Sequence, residues 1–354
     1  MKKNLLIAVV ALSGCFAFGQ RSLPSTNHSH DDFETSIARA RSFAPNGVVR
    51  CATVEYHKDK QSRGMAVSDD AFEAWLAPKI EEIKRLRLAG RLPAVIKIPV
   101  VVHVIHNGDA VGVNENIANG QVLSQITVFN QDFRRMSGTP GFGAGVDTTI
   151  EFCLAQVDPN GNPTTGIDRV NRGVATYNTM AAIQAAKTAT IWDPTKYLNM
   201  WTFAFGGGMA STLGYAQFPS GSGLEGMGTD PCIDDLGGGS ATTDVVVWNF
   251  NTWGSRTIFP TGTYAGTQYD KGRTMTHEVG HMFGLRHTWG DGGCESDDFC
   301  ADTPNCDSDY YADYSQYCVA RISEGKTLTE YAENCSISWN CMYWTKSCNF
   351  NWRY

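Results

Sequence analysis

The chain has 354 residues and a formal net charge of −7. A negative balance of this kind argues against nucleic acid as a partner. Beyond the N-terminal signal described next, no apolar run is long enough to form a transmembrane helix, so the sequence predicts a soluble mature protein.

The N-terminus has the form of a secretory signal, predicted over residues 1–19. Two lysines precede an apolar run over residues 5–12, and small residues follow. Two processing routes are open. The sequence LSGC, ending at Cys15, resembles a bacterial lipobox and would leave a lipid anchor on an outer-membrane or surface lipoprotein. Ala17 and Gly19 before Gln20 resemble an ordinary cleavage site, which would release a secreted protein.

The region after the signal divides into two parts. Residues 21–64 are polar and show no sustained periodicity, so we expect them to lie outside the core. The HSHDD tract at residues 28–32 is interpreted as a solvated tail rather than a metal site. Residues 68–87 begin with acidic and end with basic residues around apolar ones, which predicts an amphipathic helix despite Pro78.

The central region predicts a mixed sheet. Residues 96–107 form a β-branched run typical of a buried strand, and residues 120–135 carry apolar side chains at helical spacing. Together they indicate a β-α unit. Further strands are predicted at residues 150–157, 197–205 and 244–250, with glycine-rich loops between them. The size of residues 96–354 suits one catalytic domain.

The sequence HEVGHMFGLRH at residues 277–287 places metal-binding side chains at helical spacing. On a helix, His277 and His281 project from one face, one turn apart. Gly284 tolerates the left-handed conformation that ends a helix, so the chain can turn and bring His287 to the same ion. Three ligands with an open fourth position are typical of catalytic zinc, and Glu278 beside them can act as general acid and base.

The alternative interpretation of this segment is a surface helix with solvated histidines. A bare HExxH motif is short enough to occur by chance, but the extended pattern fixes five positions in a chain of only eight histidines. The sequence therefore favours a zinc hydrolase that cleaves peptide bonds.

Cysteines are concentrated near the C-terminus. Seven of the eleven are Cys294, Cys300, Cys306, Cys318, Cys335, Cys341 and Cys348. In an exported chain this density predicts disulfides, whose pairing the sequence does not give. The alternative is a second zinc site, but paired C-x-x-C spacings are lacking.

The extended histidine motif is the signature of the metzincin metallopeptidases. Several segments narrow the resemblance to the pappalysin family over about residues 50–348: IPVVVHVIHN, NQDFRR, LNMWTFAF, LGYAQFP, the zinc motif with its flanks, and DTPNC. The resemblance implies an α+β fold. Its upper lobe would contain a twisted mixed sheet, a backing helix and the active-site helix, and its lower lobe would be irregular and disulfide-rich. Residues 20–90 would be a pro-segment with an N-terminal helix, and residues 91–354 the catalytic domain.

The resemblance also implies a substrate strand and a latency switch. An upper-rim strand that pairs with extended substrate corresponds to Leu213, Gly214, Tyr215 and Ala216, which are otherwise an ordinary edge strand. The RCAT sequence around Cys51 resembles a pro-segment motif that places a thiolate on the zinc. The alternative for Cys51 is a disulfide. If Cys51 is the switch, nine mature cysteines remain and one must stay free, for which Cys153 within its strand is the candidate.

Residues 290–304 resemble the family's calcium-binding loop. The loop brings three hard oxygen donors close together in the sequence: Asp297, Asp298 and Asp302. The resemblance therefore implies Ca²⁺ as a second metal beside Zn²⁺. The alternative is an acidic loop that is simply solvated.

The C-terminal segment departs from the family pattern. The only methionine after the histidine motif is Met342, so it corresponds to the methionine turn beneath the zinc. That turn typically reads Met-Asp-Tyr, whereas Tyr343 and Trp344 follow here. Trp344 has only an indole N–H donor, so Tyr343 is the candidate proton donor. Lys346 and Ser347 stand where relatives that cleave beside basic residues carry an acidic one, so a basic preference is not expected.

These observations predict a secreted zinc-dependent endopeptidase that acts on proteins or peptides and is made as a latent zymogen. Two alternatives remain. One is a zinc amidohydrolase acting on cell-wall peptides. The other is a catalytically degenerate, zinc-binding adhesin or binding module, which the altered methionine turn favours and the retained Glu278 disfavours.

Overall fold

The architecture is that of a computed structural model, which describes residues 33–44, 46–62, 68–143, 145–218, 246–291 and 297–300. Within these ranges a mixed sheet lies between two groups of helices. The elements in chain order are α1 (Phe33–Phe43), α2 (Thr53–Ser62), α3 (Asp69–Leu88), β1 (Ile96–His106), α4 (Asn119–Phe133), β2 (Ile150–Leu154), β3 (Ile167–Asn171), α5 (Met180–Thr190), β4 (Leu198–Phe203), β5 (Gly214–Ala216), β6 (Val246–Asn249) and α6 (Arg273–Met282).

The sheet follows the order β2-β1-β4-β6-β5, with β3 paired to the second half of β1. All pairs are parallel except β5 with β6, so the predicted mixed sheet is confirmed. The valines of β1 are fully buried, as expected for a β-branched strand that is covered on both faces. The antiparallel strand β5 forms one edge of the sheet.

Each face of the sheet carries its own hydrophobic cluster. On one face Val100, Val102 and Trp248 pack with side chains of α4 and α6. On the other face Trp201 and Tyr215 pack with side chains of α1, α2 and α5. The alternation of side chains along the strands therefore separates a face that holds α6 from a face that holds the N-terminal helices.

The expectation that residues 21–64 lie outside the core is wrong for the part that the structure describes. Phe33 and Ile37 of α1 and Tyr56 of α2 are at most 1% exposed and pack against Tyr215. Burial of each such side chain contributes about 1.5–3 kcal/mol. Sequence analysis did not predict α1 and α2, because both helices are short and mostly polar, with single apolar residues one turn apart. The HSHDD tract lies outside the described residues.

The predicted helix over residues 68–87 is confirmed as α3. The Ser68 hydroxyl caps it by accepting from the Ala71 amide, and acidic residues begin and basic residues end the helix. Pro78 lies inside the helix, and Phe72 is the buried residue of α3. From residue 80 to residue 91 every position except Leu86 is exposed, so the second half of α3 projects into solvent.

The predicted strands within residues 96–107, 150–157, 197–205 and 244–250 are confirmed as β1, β2, β4 and β6, and the helix over residues 120–135 as α4. Sequence analysis missed β3, a short strand with a charged residue at two of its five positions, and the alanine-rich helix α5. Among the described helices none has the length and apolar character needed to cross a membrane. The predicted signal, Cys15 and most of the predicted disulfide-rich lower lobe lie outside the described residues.

Candidate metal centre and active site

Helix α6 is held in place by the neighbouring helix α4. The Gln125 side chain donates to the Gly272 carbonyl (3.0 Å) and accepts from the Gly254 amide (2.9 Å). At the other end of α4, Asp132 accepts from the Thr276 hydroxyl (2.8 Å). A Cβ at Gly272 would lie 2.8 Å from Gln125 Oε1, so glycine permits this close approach. These contacts set the rotation of α6 and direct His277 and His281 along one face.

The turn after α6 has the predicted form. Gly284 adopts a left-handed conformation (φ +90°), and its amide donates to the His281 carbonyl at 2.8 Å. The Leu285 amide donates to the Gly280 carbonyl at 3.0 Å, which satisfies another carbonyl of the last helical turn. The chain thus reverses within a few residues and returns His287 to the face of α6, as the sequence predicted.

The three histidines converge on one point. The Nε2 atoms of His277, His281 and His287 lie 3.0–3.1 Å from one another. Nδ1 of His281 lies 2.7 Å from the Leu285 carbonyl, which can only accept. Nδ1 of His287 lies 2.5 Å from Asp291 Oδ1. These contacts assign the Nδ1–H tautomer to both rings and leave an Nε2 lone pair directed at the centre.

The electrostatics of the cluster favour the neutral, metal-binding form of His277 and His281. Burial, followed by the other two histidines, holds the pKa of His277 well below its usual value. Burial and His287 lower the pKa of His281 to about 3. Three lone pairs at this separation repel one another unless a cation lies between them. In a tetrahedral site with Zn–N bonds of about 2.0–2.1 Å, ligand nitrogens are roughly 3.3 Å apart. The donor set therefore suits one zinc ion.

Glu278 lies beside the cluster and is fully buried. Its Oε2 atom accepts from the Thr53 hydroxyl at 2.8 Å and from the Cys51 thiol at 3.5 Å. Its Oε1 atom has no hydrogen-bond partner among the described residues. Burial raises the pKa of Glu278 to about 8. A carboxylate with a raised pKa and an unpaired oxygen is suited to accept a proton.

The segment around Cys51 lies along the edge of β5, next to Glu278. The Val49 amide donates to the Ser211 carbonyl, and the Leu213 amide donates to the Val49 carbonyl (2.9 and 3.0 Å). The Ala52 amide then donates to the Gly214 carbonyl at 3.0 Å. The pairing of Val49 with Thr212 is parallel, so the segment extends the sheet by one irregular strand.

Thr53 completes this contact, because its hydroxyl accepts from the Ala216 amide at 2.8 Å and donates to Glu278. The N-terminal segment therefore occupies backbone groups along the predicted substrate strand and one oxygen of the predicted general base.

Cys51 lies at the metal centre and is not in a disulfide. Its Sγ atom and one nitrogen of each histidine all lie within 4.8 Å of one another. The cluster therefore offers a fourth ligand from the N-terminal segment. Cys153 is also outside a disulfide and is exposed on β2.

Comparison with known proteins supports a metallopeptidase. A family model described as pregnancy-associated plasma protein-A, a peptidase family, matches residues 239–338. An extracellular metalloprotease of Verticillium alfalfae is 32% identical over 214 residues, which cover 60% of this chain and 58% of the fungal protein. One from Colletotrichum graminicola is 30% identical over 212 residues, with the same coverage of both chains.

Solved structures also match this chain. Mature mirolysin of Tannerella forsythia, in complex with a cleaved peptide, is 39% identical, covers 61% of this chain and 74% of its own, and superposes with a TM-score of 0.48. A promirolysin variant of the same organism is 35% identical and covers 69% and 76% of the two chains, with a TM-score of 0.47. The chain belongs to the pappalysin family. It spans 58% of the length of each of the two fungal relatives named above.

The remaining predicted site residues of this pappalysin-family chain lie near or beyond the end of the described residues. Asp297 Oδ1 accepts from the Phe299 amide at 2.8 Å, and Asp298 Oδ1 accepts from the Cys300 amide at 2.9 Å. These are ordinary turn contacts, and calcium binding stays a prediction. Asp302, Met342, Tyr343 and Trp344 lie outside the described residues.

Three residues in or next to the site were not assigned a role by sequence analysis: Thr53, Arg286 and Asp291. Asp291 follows His287 by four residues, so this spacing is a local signal for the contact between their side chains. Thr53 lies within the RCAT sequence and Arg286 within the histidine motif, but each contacts a residue more than 200 positions away, and no local pattern marks such a contact.

Replacement of Asp291 by alanine is expected to weaken zinc binding about 10–100-fold, because His287 loses the carboxylate that fixes its tautomer and ring orientation. Asp291→Asn keeps an acceptor and should lose less affinity. Chelator competition followed by metal analysis measures the change. Equal zinc affinity in wild type and both variants would show that the contact with His287 has no role in metal binding.

Proposed function

We propose that this pappalysin-family chain is a zinc-dependent endopeptidase. The observation that carries the proposal is the convergence of three Nε2 atoms at 3.0–3.1 Å beside a buried glutamate with one unpaired oxygen. His277, His281 and His287 would bind the zinc. Glu278 is then not required as a metal ligand and can act as the general acid and base. The names of the curated relatives, extracellular metalloproteases, agree with this activity.

When bound, zinc supplies Lewis-acid activation of water and of the substrate carbonyl. The chain supplies the proton transfers and the binding groups. Glu278 takes a proton at Oε1 and returns it to the amine that leaves when the peptide bond breaks. The edge of β5 offers the Leu213 amide, the Gly214 carbonyl and the Ala216 amide to an extended peptide. Backbone pairing of this kind tolerates many side chains, which suits a peptidase of broad substrate range.

The N-terminal segment blocks both parts of this machinery, so the proposal includes a latent precursor. Its hydrogen bonds to β5 use the groups that would bind substrate, and Cys51 lies at the position of a fourth metal ligand. Removal of residues 20–90 would release the site.

Export and further metal binding complete the proposal. A signal over residues 1–19, with either ordinary cleavage or a lipid anchor at Cys15, agrees with the extracellular relatives. Met342 would lie beneath the zinc with Tyr343 as a proton donor, and calcium would bind at Asp297, Asp298 and Asp302.

Removal of zinc is expected to abolish casein and gelatin digestion by the processed protein, and added zinc should restore it. The experiment treats processed protein with 1,10-phenanthroline, dialyses it and adds back zinc, with magnesium as the control ion. Zinc binding without digestion of casein, gelatin or any peptide of a proteome-derived library would refute the peptidase and favour a binding module. Digestion of cell-wall peptides alone would favour an amidohydrolase.

A further inference from the structure

A buried arginine lies directly before the third histidine of the metal centre. The Arg286 side chain is only 4% exposed. Its guanidinium carbon lies 5.2 Å from the ring centre of Phe218, 5.3 Å from that of Phe299 and 5.8 Å from that of Phe72. Guanidinium groups interact favourably with aromatic faces through their positive charge. The three rings and Arg286 are called the arginine cage below.

The carboxylates that balance the charge of Arg286 come from the N-terminal part of the chain. Nη1 of Arg286 lies 3.0 Å from Asp69 Oδ1, and Nε lies 3.3 Å from Glu73 Oε1. Both carboxylates belong to α3, as does Phe72. In the described part of the structure these are the ion pairs of Arg286. A buried charge without a counter-charge is costly, so Arg286 needs carboxylate partners wherever it remains out of water.

The cage adjoins the place where substrate would bind. Phe218 follows Ala216, the last residue of β5, by two positions, and its ring centre lies 6.3 Å from that of His281. Arg286 precedes His287 in the sequence. A peptide paired with β5 and extending past the metal centre would therefore pass the cage.

Helix α3 belongs to the segment that we propose is removed. Its second half is exposed, with side-chain ion pairs such as Lys84 with Glu81 and Arg85 with Glu82 formed within the helix. The following turn, residues 89–95, is also largely exposed and accessible to a protease. Loss of α3 would remove the two carboxylates that pair with Arg286, Asp69 and Glu73, together with the ring of Phe72. Arg286 would then retain Phe218 and Phe299 as neighbours.

We propose that Arg286, together with Phe218 and Phe299, is a substrate subsite for a carboxylate side chain once α3 has been removed, and that Asp69 and Glu73 occupy this subsite in the latent form. The ligand class is an aspartate or glutamate residue of the substrate peptide. This inference rests on the proposed peptidase function and on removal of α3. The guanidinium offers several fixed, charged donors to a carboxylate, so the contact distinguishes Glu from its uncharged isostere Gln.

The test profiles the zinc-loaded, processed protein with peptides that differ at one position at a time by Glu, Asp, Gln or Ala. At one position we expect Glu or Asp to raise kcat/KM about 10–100-fold over Gln, the size of a charge-assisted hydrogen bond. Arg286→Gln should bring the ratio of Glu to Gln near one, and Arg286→Lys should keep part of it, because lysine retains the charge but not the planar donors.

The matched control is Arg134→Gln. Arg134 also pairs with two carboxylates, Asp147 and Glu151, but it lies by β2 at the opposite end of the sheet from β5. This variant should keep the wild-type ratio. Thermal unfolding of each variant verifies folding, and the wild-type profile tests the idea without any substitution.

Each outcome decides the matter. Hydrolysis with no carboxylate preference at any position, or with a preference that Arg286→Gln retains, overturns the subsite and leaves the peptidase intact. Absence of hydrolysis of every peptide overturns the peptidase, and the subsite falls with it. A carboxylate preference that is lost in Arg286→Gln and kept in Arg134→Gln supports the subsite.

Discussion

Glu278→Gln is expected to lower kcat/KM for peptide hydrolysis by about 10²–10⁴-fold, the usual contribution of general acid and base catalysis. The substitution keeps the size of the side chain and the acceptor for Thr53, but its amide cannot take a proton from water at neutral pH. Since the three histidine nitrogens are untouched, the variant should still bind zinc. The loss is therefore expected in kcat rather than in metal content.

The environment of Glu278 explains why no neighbour should replace it. The side chain is fully buried, and the groups on Oε2 are the Thr53 hydroxyl and the Cys51 thiol, both from the N-terminal segment. After the N-terminal segment is removed, the Glu278 carboxylate is the proton acceptor next to the three Nε2 atoms among the residues that the structure describes. Water reaching the metal centre would meet it directly.

The measurement compares kcat/KM of processed wild type and Glu278→Gln on a quenched fluorescent peptide, with zinc content determined on the same samples. Glu115→Gln is the matched control, because Glu115 is also buried and accepts one amide hydrogen bond, from Asn107, outside the site. It should remain within about twofold of wild type, as expected for a change that touches no reacting group. A Glu278→Gln variant that keeps more than about a tenth of wild-type activity with full zinc would assign proton transfer to another group.

The part of the site that sequence predicts is the part that local geometry determines. The spacing of His277, His281 and Gly284 sets one helical face and one left-handed turn, so short-range rules were sufficient to place them. The same holds for α3, whose boundary residues are marked by Ser68 and by charges that complement the helix dipole.

The contacts that sequence did not predict are long-range. Thr53 and Glu278 are 225 residues apart, and Arg286 and Glu73 are 213 apart. The core contribution of α1 and α2 also depends on the complementary face of the sheet, because Phe33, Ile37 and Tyr56 are too few to give a periodic pattern in a polar segment. Propensity and periodicity describe one element at a time, whereas these residues acquire their role from a partner in another element.

Cys51→Ala is expected to convert the intact, unprocessed chain from a latent to a partly active form. The initial rate of peptide hydrolysis should rise on the order of 10–100-fold, because single residues that support a metal site typically change its activity by this factor. Burial and then the Glu278 carboxylate raise the pKa of the Cys51 thiol, so the thiol remains protonated unless a cation lies beside it. Zinc would supply that cation and bind the thiolate, which closes the open position.

Activation should be partial, because Thr53 remains. Its hydroxyl still holds Glu278 and the Ala216 amide, so the general base and the substrate strand stay blocked after the thiol is gone. Cys51→Ala combined with Thr53→Ala should therefore hydrolyse faster than either single variant. A faster double variant would show that Cys51 and Thr53 block different parts of the site. Equal rates in Cys51→Ala and the double variant would indicate a single switch at the metal.

The experiment records initial rates of peptide hydrolysis before any N-terminal cleavage, with gel electrophoresis confirming that the chain is intact. Cys153→Ala is the control, since Cys153 is outside a disulfide and exposed on β2, at the opposite end of the sheet from β5. X-ray absorption at the zinc edge adds a readout independent of activity: a sulfur neighbour at about 2.3 Å should be present in wild type and absent in Cys51→Ala. If Cys51→Ala remains as latent as wild type and Cys51→Ala with Thr53→Ala does not, the hydrogen bonds of Thr53 maintain latency and the thiol is dispensable. If both remain latent, the backbone pairing of residues 49–52 with β5 is sufficient to exclude substrate.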